Sequence, residues 1–179
     1  MIITKKENIV YQNRYATVFD DDVLFPNGES GKYIRFCWKS PFGSGVLLHC
    51  DKFIYLGRRY RYSDRMVSTE IFQGFGESGE TPDECARREL KEECGISVPK
   101  MQHLFVIGNA FPVHIFTAKV SEDQMKSLSL EKGKEEIEEI VPLAISRITT
   151  NSLKEKGIFD PVSISAIGMF KLGYNLSIE

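Results

Sequence analysis

The sequence predicts an α+β fold organised around a mixed β-sheet. Three observations lead there. Short runs of partly alternating apolar residues, punctuated by turn chemistry, fill the first third of the chain. One strongly capped helix follows, and further strand-like runs then give way to a last helix. The 179 residues suffice to bury a core without disulfide or metal staples.

Taken in order, "NIVYQNRYATVFDDDVLF" alternates in part, "PNGESG" (26–31) supplies a turn, and "KYIRFCW" resumes an extended pattern, which predicts a hairpin. "GVLLHCDKFIYLGRRYRY" holds two short apolar runs that turn near Cys50 and Asp51. The helix signal comes next. Thr81 and Glu84 form a T-x-x-E capping box, Pro82 takes the first helical position and Asp83 lies in the first turn. Ala86, Leu90 and Cys94 give a narrow apolar face, and Gly95 sits where a helix ends left-handed, so the helix spans about fourteen residues. Beyond it, "HLFVIGNAF", "VHIFTAKV" and "EEIVPLAIS" predict strands, and "SRITTNSLKEKG" is weakly helical. Asp160-Pro161 opens a final helix whose Ile164, Ile167 and Phe170 are expected to face the core.

Composition narrows the function classes. A net charge of -2 does not suit a general nucleic-acid binder, and no stretch is apolar enough to span a membrane. "MIITKKENIVYQ" has no apolar signal core, which argues for the cytoplasm. Cys37, Cys50, Cys85 and Cys94 form no CxxC pair and are expected as reduced thiols; His49, His103 and His114 are scattered singly.

The helix itself poses the chemical question. Residues three and four apart share a helix face, so Glu89, Glu92 and Glu93 are crowded together, at a cost of a few tenths of a kcal/mol per like-charged pair. Two readings fit bare spacing: a solvated acidic face, or oxygen ligands for a hard divalent cation such as Mg²⁺ or Mn²⁺. The surroundings separate them. "GFGESGETPDECARRELKEECGI" (74–96) matches G-x5-E-x7-R-E-U-x-E-E-x-G-U, with U apolar, at Gly74, Glu80, Arg88, Glu89, Leu90, Glu92, Glu93, Gly95 and Ile96.

This segment resembles the Nudix box, the signature of hydrolases that cleave nucleoside diphosphates linked to another group. The resemblance implies a Nudix fold, a mixed sheet sandwiched between helices, over residues 43–179, with 1–42 forming a small antiparallel strand extension. It implies an essential Mg²⁺ or Mn²⁺ held by Glu89 and Glu93, joined by Glu92 and by the main-chain carbonyl of Gln73. Arg88 enters the active-site set as a clamp that pairs with Glu80 and ties loop to helix. The cation would neutralise a pyrophosphate bridge, activate a water and align it for attack on phosphorus.

A second acidic run, "KEEIEEIV", lies about forty residues past the box and by itself reads as a solvated loop or strand edge. The chain also resembles the ADP-ribose pyrophosphatase branch of the family, where an acidic loop here supplies a catalytic glutamate and a further metal contact. That register implies Glu136 as base and Glu138 as metal contact, with neighbouring Glu135 and Glu139 as alternatives. "YLGRRYRYSDRMVSTEIFQG" is similar to the branch's V-R-Q-Y-R…E-x-P-A-G run, which aligns Arg58, Tyr60, Arg61 and Glu70 as substrate-binding residues. The alternative for Tyr60 and Tyr62 is plain alternation on a strand. The N-terminal segment resembles a strand domain that exchanges between subunits of a homodimer.

Two departures weaken the substrate assignment. "FVIGNAFPVH" lacks the acid expected after the box, and Phe72 and Gln73 replace the usual proline and alanine. The expected activity is cleavage of ADP-ribose or a nucleotide sugar to two monophosphates. A nucleoside triphosphate pyrophosphohydrolase and a non-catalytic nucleotide sensor are the competing readings; the complete glutamate set speaks against the sensor.

Overall fold

The computed structural model of the protein describes residues 1–126, 128 and 137–176. Its first four strands, β1 (Ile3–Lys6), β2 (Ile9–Gln12), β3 (Ala16–Leu24) and β4 (Ser30–Trp38), form a small antiparallel sheet. β1 and β2 both pair with β3, which also forms the expected hairpin with β4 in a register from Ala16 opposite Trp38 to Leu24 opposite Ser30. The aspartate triplet in β3 divides by strand parity. Asp21 turns inward and accepts from Arg35 Nε at 3.0 Å and the Asn8 amide at 3.2 Å, while Asp22 meets Lys32 Nζ at 2.7 Å in solvent.

The second sheet contains β5 (Gly43–His49), β6 (Phe53–Arg61), β7 (Met66–Glu70), β8 (Phe72–Phe75), β9 (Gln102–Ile107), β10 (Val113–Lys119) and β11 (Glu139–Ala144). β5 runs parallel to β10, and the other pairings are antiparallel, so the sheet is mixed. A strand with a parallel neighbour and both faces covered should be apolar throughout, and β5 is buried from Gly43 to Leu48. β5 and β6 pair only through Leu48–Tyr55 and His49–Ile54, after which they separate. β8 then pairs with β5 and β7 with β6, so the sheet forks, with Ile71 at the junction of the two arms.

Helices cover both faces of this sheet. α1 (Pro82–Cys94) packs Ala86, Leu90 and Cys94 against Val46, Leu48, Phe72, Phe116 and Ala118. Both halves of its capping box form, and Gly95 closes it at φ 69° with its amide on the Lys91 carbonyl. α2 (Glu122–Lys126) and α3 (Thr150–Glu155) are short, and a 3₁₀ turn spans Ile145–Arg147. α4 (Pro161–Leu176) covers the opposite face, where Ala166, Ile167 and Phe170 meet Leu47, Ile54, Leu56, Ile71 and Ile115.

One core expectation for α4 is overturned: Ile164 is 41% exposed. Ile167 and Phe170 are buried as expected, but in the first turn the inward position belongs to Ser163, which is held at the fork. Its hydroxyl accepts from the Ile71 amide at 3.0 Å and donates to the capping Asp160 at 2.6 Å, which fixes the rotation of the helix and turns Ile164 outward. Among the described residues, no helix is long and apolar enough to cross a membrane.

Because Leu90 is fully buried between α1 and the sheet, Leu90→Ala is expected to destabilise the protein by about 2–5 kcal/mol. Urea unfolding with an unchanged m-value and a lowered midpoint would show it; an unshifted midpoint would mean the helix packs elsewhere.

Candidate active site

The loop from Gly74 to Thr81 and the first turns of α1 are locked together by one side chain. Arg88 donates Nε to Glu80 Oε1 at 2.9 Å and Nη2 to Glu80 Oε2 at 3.1 Å, the two-pronged pairing its planar guanidinium favours. Nη2 also donates to the Phe75 carbonyl at 2.9 Å. Nη1 then reaches Glu89 at 2.6 Å and Glu92 at 3.1 Å. A single arginine thus compensates two glutamates of the crowded face while holding the loop beneath them.

The third glutamate has a separate partner. Arg59 in β6 donates Nη1 to Glu93 Oε1, and the Gln73 amide donates to Glu93 Oε2 at 3.2 Å. Amide and carbonyl of one extended residue point to the same strand edge, so the Gln73 carbonyl also lies on the edge of β8 turned toward α1. Gly74 lets β8 come this close. A Cβ there would stand 2.0 Å from the Glu89 Cδ, so no side chain fits.

Burial pushes the carboxyl of Glu89 above its ordinary value, assisted by the charges of Glu93 and Glu92 and opposed by Arg88. Burial likewise raises Glu93, against the hydrogen bond and charge of Arg59. Glu92 is the exposed member, its side chain 61% accessible. Among the described residues, no three acidic, imidazole or thiol groups stand close enough to enclose a metal ion.

Two cavities adjoin this face. The first, about 620 Å³, is lined by Glu89, Glu92, Glu93, Arg88, Gln73 and Gly74 together with Arg14, Tyr15 and Trp38. The second, about 720 Å³, is lined by Arg61, Glu70, Asp160, Phe111 and Phe159. Trp38, Gln73, Gly74 and Phe75 belong to both and form the wall between them. Trp38 rests on Phe75, with ring centroids 4.8 Å apart, and Phe75 meets Phe111 at 5.6 Å.

The four residues aligned as substrate-binding divide between two environments. Arg61 and Glu70 line the second cavity, joined through Arg61 Nε to both carboxylate oxygens at 3.0 and 3.1 Å. Burial pushes the Glu70 carboxyl up, but Arg61 outweighs it, helped by Ser68, and the net displacement is downward. Arg58 instead pairs with Glu139 at 2.6 Å, and Tyr60 is 52% exposed; neither lines either cavity. Alternating strand geometry explains the division, because residues 58 and 60 point opposite to 59 and 61. Glu138 is exposed, its amide on the Arg58 carbonyl at 2.8 Å, and it lines neither cavity. Glu135 and Glu136 lie outside the described residues.

Sequence reasoning missed three participants. Arg59 could have been found from parity, since it occupies the strand face that carries Tyr55 and Gly57 into the core. Trp38 and Phe75 offered only isolated aromatics. Gln73 was valued for its carbonyl, yet its side chain also joins Glu70 at 3.3 Å to Asp160 at 3.2 Å.

Comparison with known proteins bears on this arrangement. Residues 41–154 match the family model described as the NUDIX domain, which is most of the chain. The chain belongs to the Nudix family. It is 27% identical over 175 residues to a methanol dehydrogenase activator of Bacillus methanolicus, covering 94% of this chain and 92% of that one. It is 26% identical over 173 residues to an ADP-ribose pyrophosphatase of Bacillus subtilis (strain 168), covering 91% and 89%. The crystal structure of an ADP compounds hydrolase superposes with a TM-score of 0.74 at 19% identity, over 98% of this chain and 95% of that one, and shares the Nudix fold.

A carboxyl raised in the folded chain keeps its proton longer there than in the unfolded chain. Its favourable contribution is present below the ordinary value of 4.5 for Glu89 and is withdrawn as pH rises through the raised folded value. In the presence of a chelator, Glu89→Gln should therefore gain stability relative to the parent protein as pH rises through that window. Paired urea midpoints across the pH series test this, and parallel curves would contradict the burial effect.

Proposed function

We propose that this Nudix protein is a Mg²⁺- or Mn²⁺-dependent pyrophosphatase. In this reading it cleaves the diphosphate bridge of a nucleoside diphosphate linked to a sugar, ADP-ribose first, to two monophosphates. The observation that carries the reading is the complete box on a capped helix, with Glu89, Glu92, Glu93 and the Gln73 edge facing one cavity. The ADP-ribose pyrophosphatase among its relatives supports the substrate class.

Nudix enzymes generally use divalent metals, and the donors suit a hard cation. Three carboxylates and a carbonyl are all oxygen, and the space a Gly74 side chain would fill is left to Glu89. Glu89, Glu92, Glu93 and the Gln73 carbonyl would hold the ion. When bound, it supplies charge neutralisation at the bridging phosphates and a water made more acidic. Arg88 keeps the loop and helix in register. Arg61, held by Glu70 beside Gln73, places positive charge on the wall of the second cavity, which suits phosphate oxygens. Trp38 and Phe75, 42% and 45% exposed on the shared wall, offer faces on which a base can stack. Glu136 acts as general base and Glu138 as a further cation contact in this reading, with Arg58 and Tyr60 at the margin of the substrate path.

Residues 1–42 act as the strand extension and 43–179 as the hydrolase domain. The small sheet leaves Ile9, Val10, Tyr11, Tyr33, Ile34 and Phe36 each more than half exposed, an apolar load suited to a second copy of the chain. The free thiols of all four cysteines suit the reducing cytoplasm.

A panel of ADP-ribose, nucleotide sugars and nucleoside triphosphates, assayed with Mg²⁺ and with Mn²⁺, is expected to give phosphate-ester products only with added cation and fastest with ADP-ribose. Glu93→Gln should lower kcat by roughly a thousandfold with an unchanged circular dichroism spectrum. Full turnover in that variant would refute the site. Light scattering should return twice the chain mass, and a monomer would rule out strand exchange.

A further inference from the structure

Arg59 stands where a charge is costly. It is 1% exposed, on the face of β6 that packs under α1, and Nη1 alone is engaged, by Glu93. Its Nε and Nη2 are buried and have no acceptor among the described residues. A guanidinium cannot shed its proton, so this side chain keeps a full positive charge that Glu93 meets by a hydrogen bond and Glu70 by charge alone, with donors left over. Buried donors without acceptors are destabilising, and most native side chains avoid them.

Both oxygens of Glu93 are already addressed, one by Arg59 and one by the Gln73 amide. We infer that Arg59 is an internal cation that holds Glu93 in the metal-free protein and competes with the divalent ion for it. The inference rests on the reading of Glu93 as a cation ligand. It assigns to Arg59 a positioning role that sets how tightly the ion is held. Glu93 is nearly buried, its side chain 11% accessible, so without a compensating charge it would disfavour the folded state. Arg59 supplies that charge before any ion arrives. The same charge then repels the ion across a poorly screened interior, where neither salt nor water weakens it much. The protein therefore gains metal-free stability and gives up affinity for the cation.

The test uses the whole chain and Mn²⁺ alone as probe. Calorimetric titration of Arg59→Gln is expected to show Mn²⁺ bound roughly tenfold or more tightly than by the parent protein, with a lower melting temperature before Mn²⁺ is added. Arg59→Lys, which keeps the charge, should bind Mn²⁺ within a few-fold of the parent protein. Equal or weaker binding by Arg59→Gln, with Mn²⁺ still bound by the parent, overturns the inference and leaves the proposed function standing. Absence of Mn²⁺ binding in parent and variant overturns both. Should Arg59→Gln fail to fold, the guanidinium nitrogen resonances of Arg59 in the parent protein decide. Displacement on adding diamagnetic Mg²⁺ supports competition, and invariance refutes it.

Discussion

Negative charge concentrated on one helical face is the constraint around which this molecule is arranged. Glu89, Glu92 and Glu93 repel one another, and two of them are largely withdrawn from water. Two arginines answer that repulsion from different directions. Arg88 works from within α1, spreading its donors over Glu80, Glu89, Glu92 and the Phe75 carbonyl. Arg59 works from β6 below. These partners offset the repulsion that the carboxylates on one face would otherwise suffer. With them, the face is held in one orientation over Gln73 and Gly74.

The forked sheet gives this chemistry its position. Had β5 and β6 stayed paired along their length, β8 would have had no edge to occupy. Because they separate after two residue pairs, β8 lies against β5 with its other edge turned to α1, and Gly74 permits the near contact with Glu89. Ser163 secures the same junction from the far face by binding the Ile71 amide, so both covering helices are anchored where the strands divide.

How much of this was legible in sequence depended on whether the cause was local. The capping box, the left-handed end at Gly95, the β3–β4 hairpin and the β5–β6 turn were all readable, because each is determined by residues a few positions apart. The Arg88–Glu80 clamp was legible through the motif. β7 and β8 were not picked out as strands. "MVSTE" and "FQGF" are short and weakly patterned, and they become strands only because the fork offers them edges. Ile164 was misplaced because helical spacing admits either residue 163 or 164 ahead of Ile167, and a serine hydrogen bond to a distant strand took the inward place. Arg59 escaped notice because its partner lies 34 residues away, on another element.

Trp38 has a consequence of its own. It is the chain's single tryptophan, and its indole rests on the ring of Phe75, whose carbonyl Arg88 grips. Excited selectively over the seven tyrosines, tryptophan emission from this protein therefore originates at the partition between the two cavities. The fold thus carries an intrinsic fluorophore one residue removed from the glutamate helix, and spectroscopists need attach no dye to watch that partition.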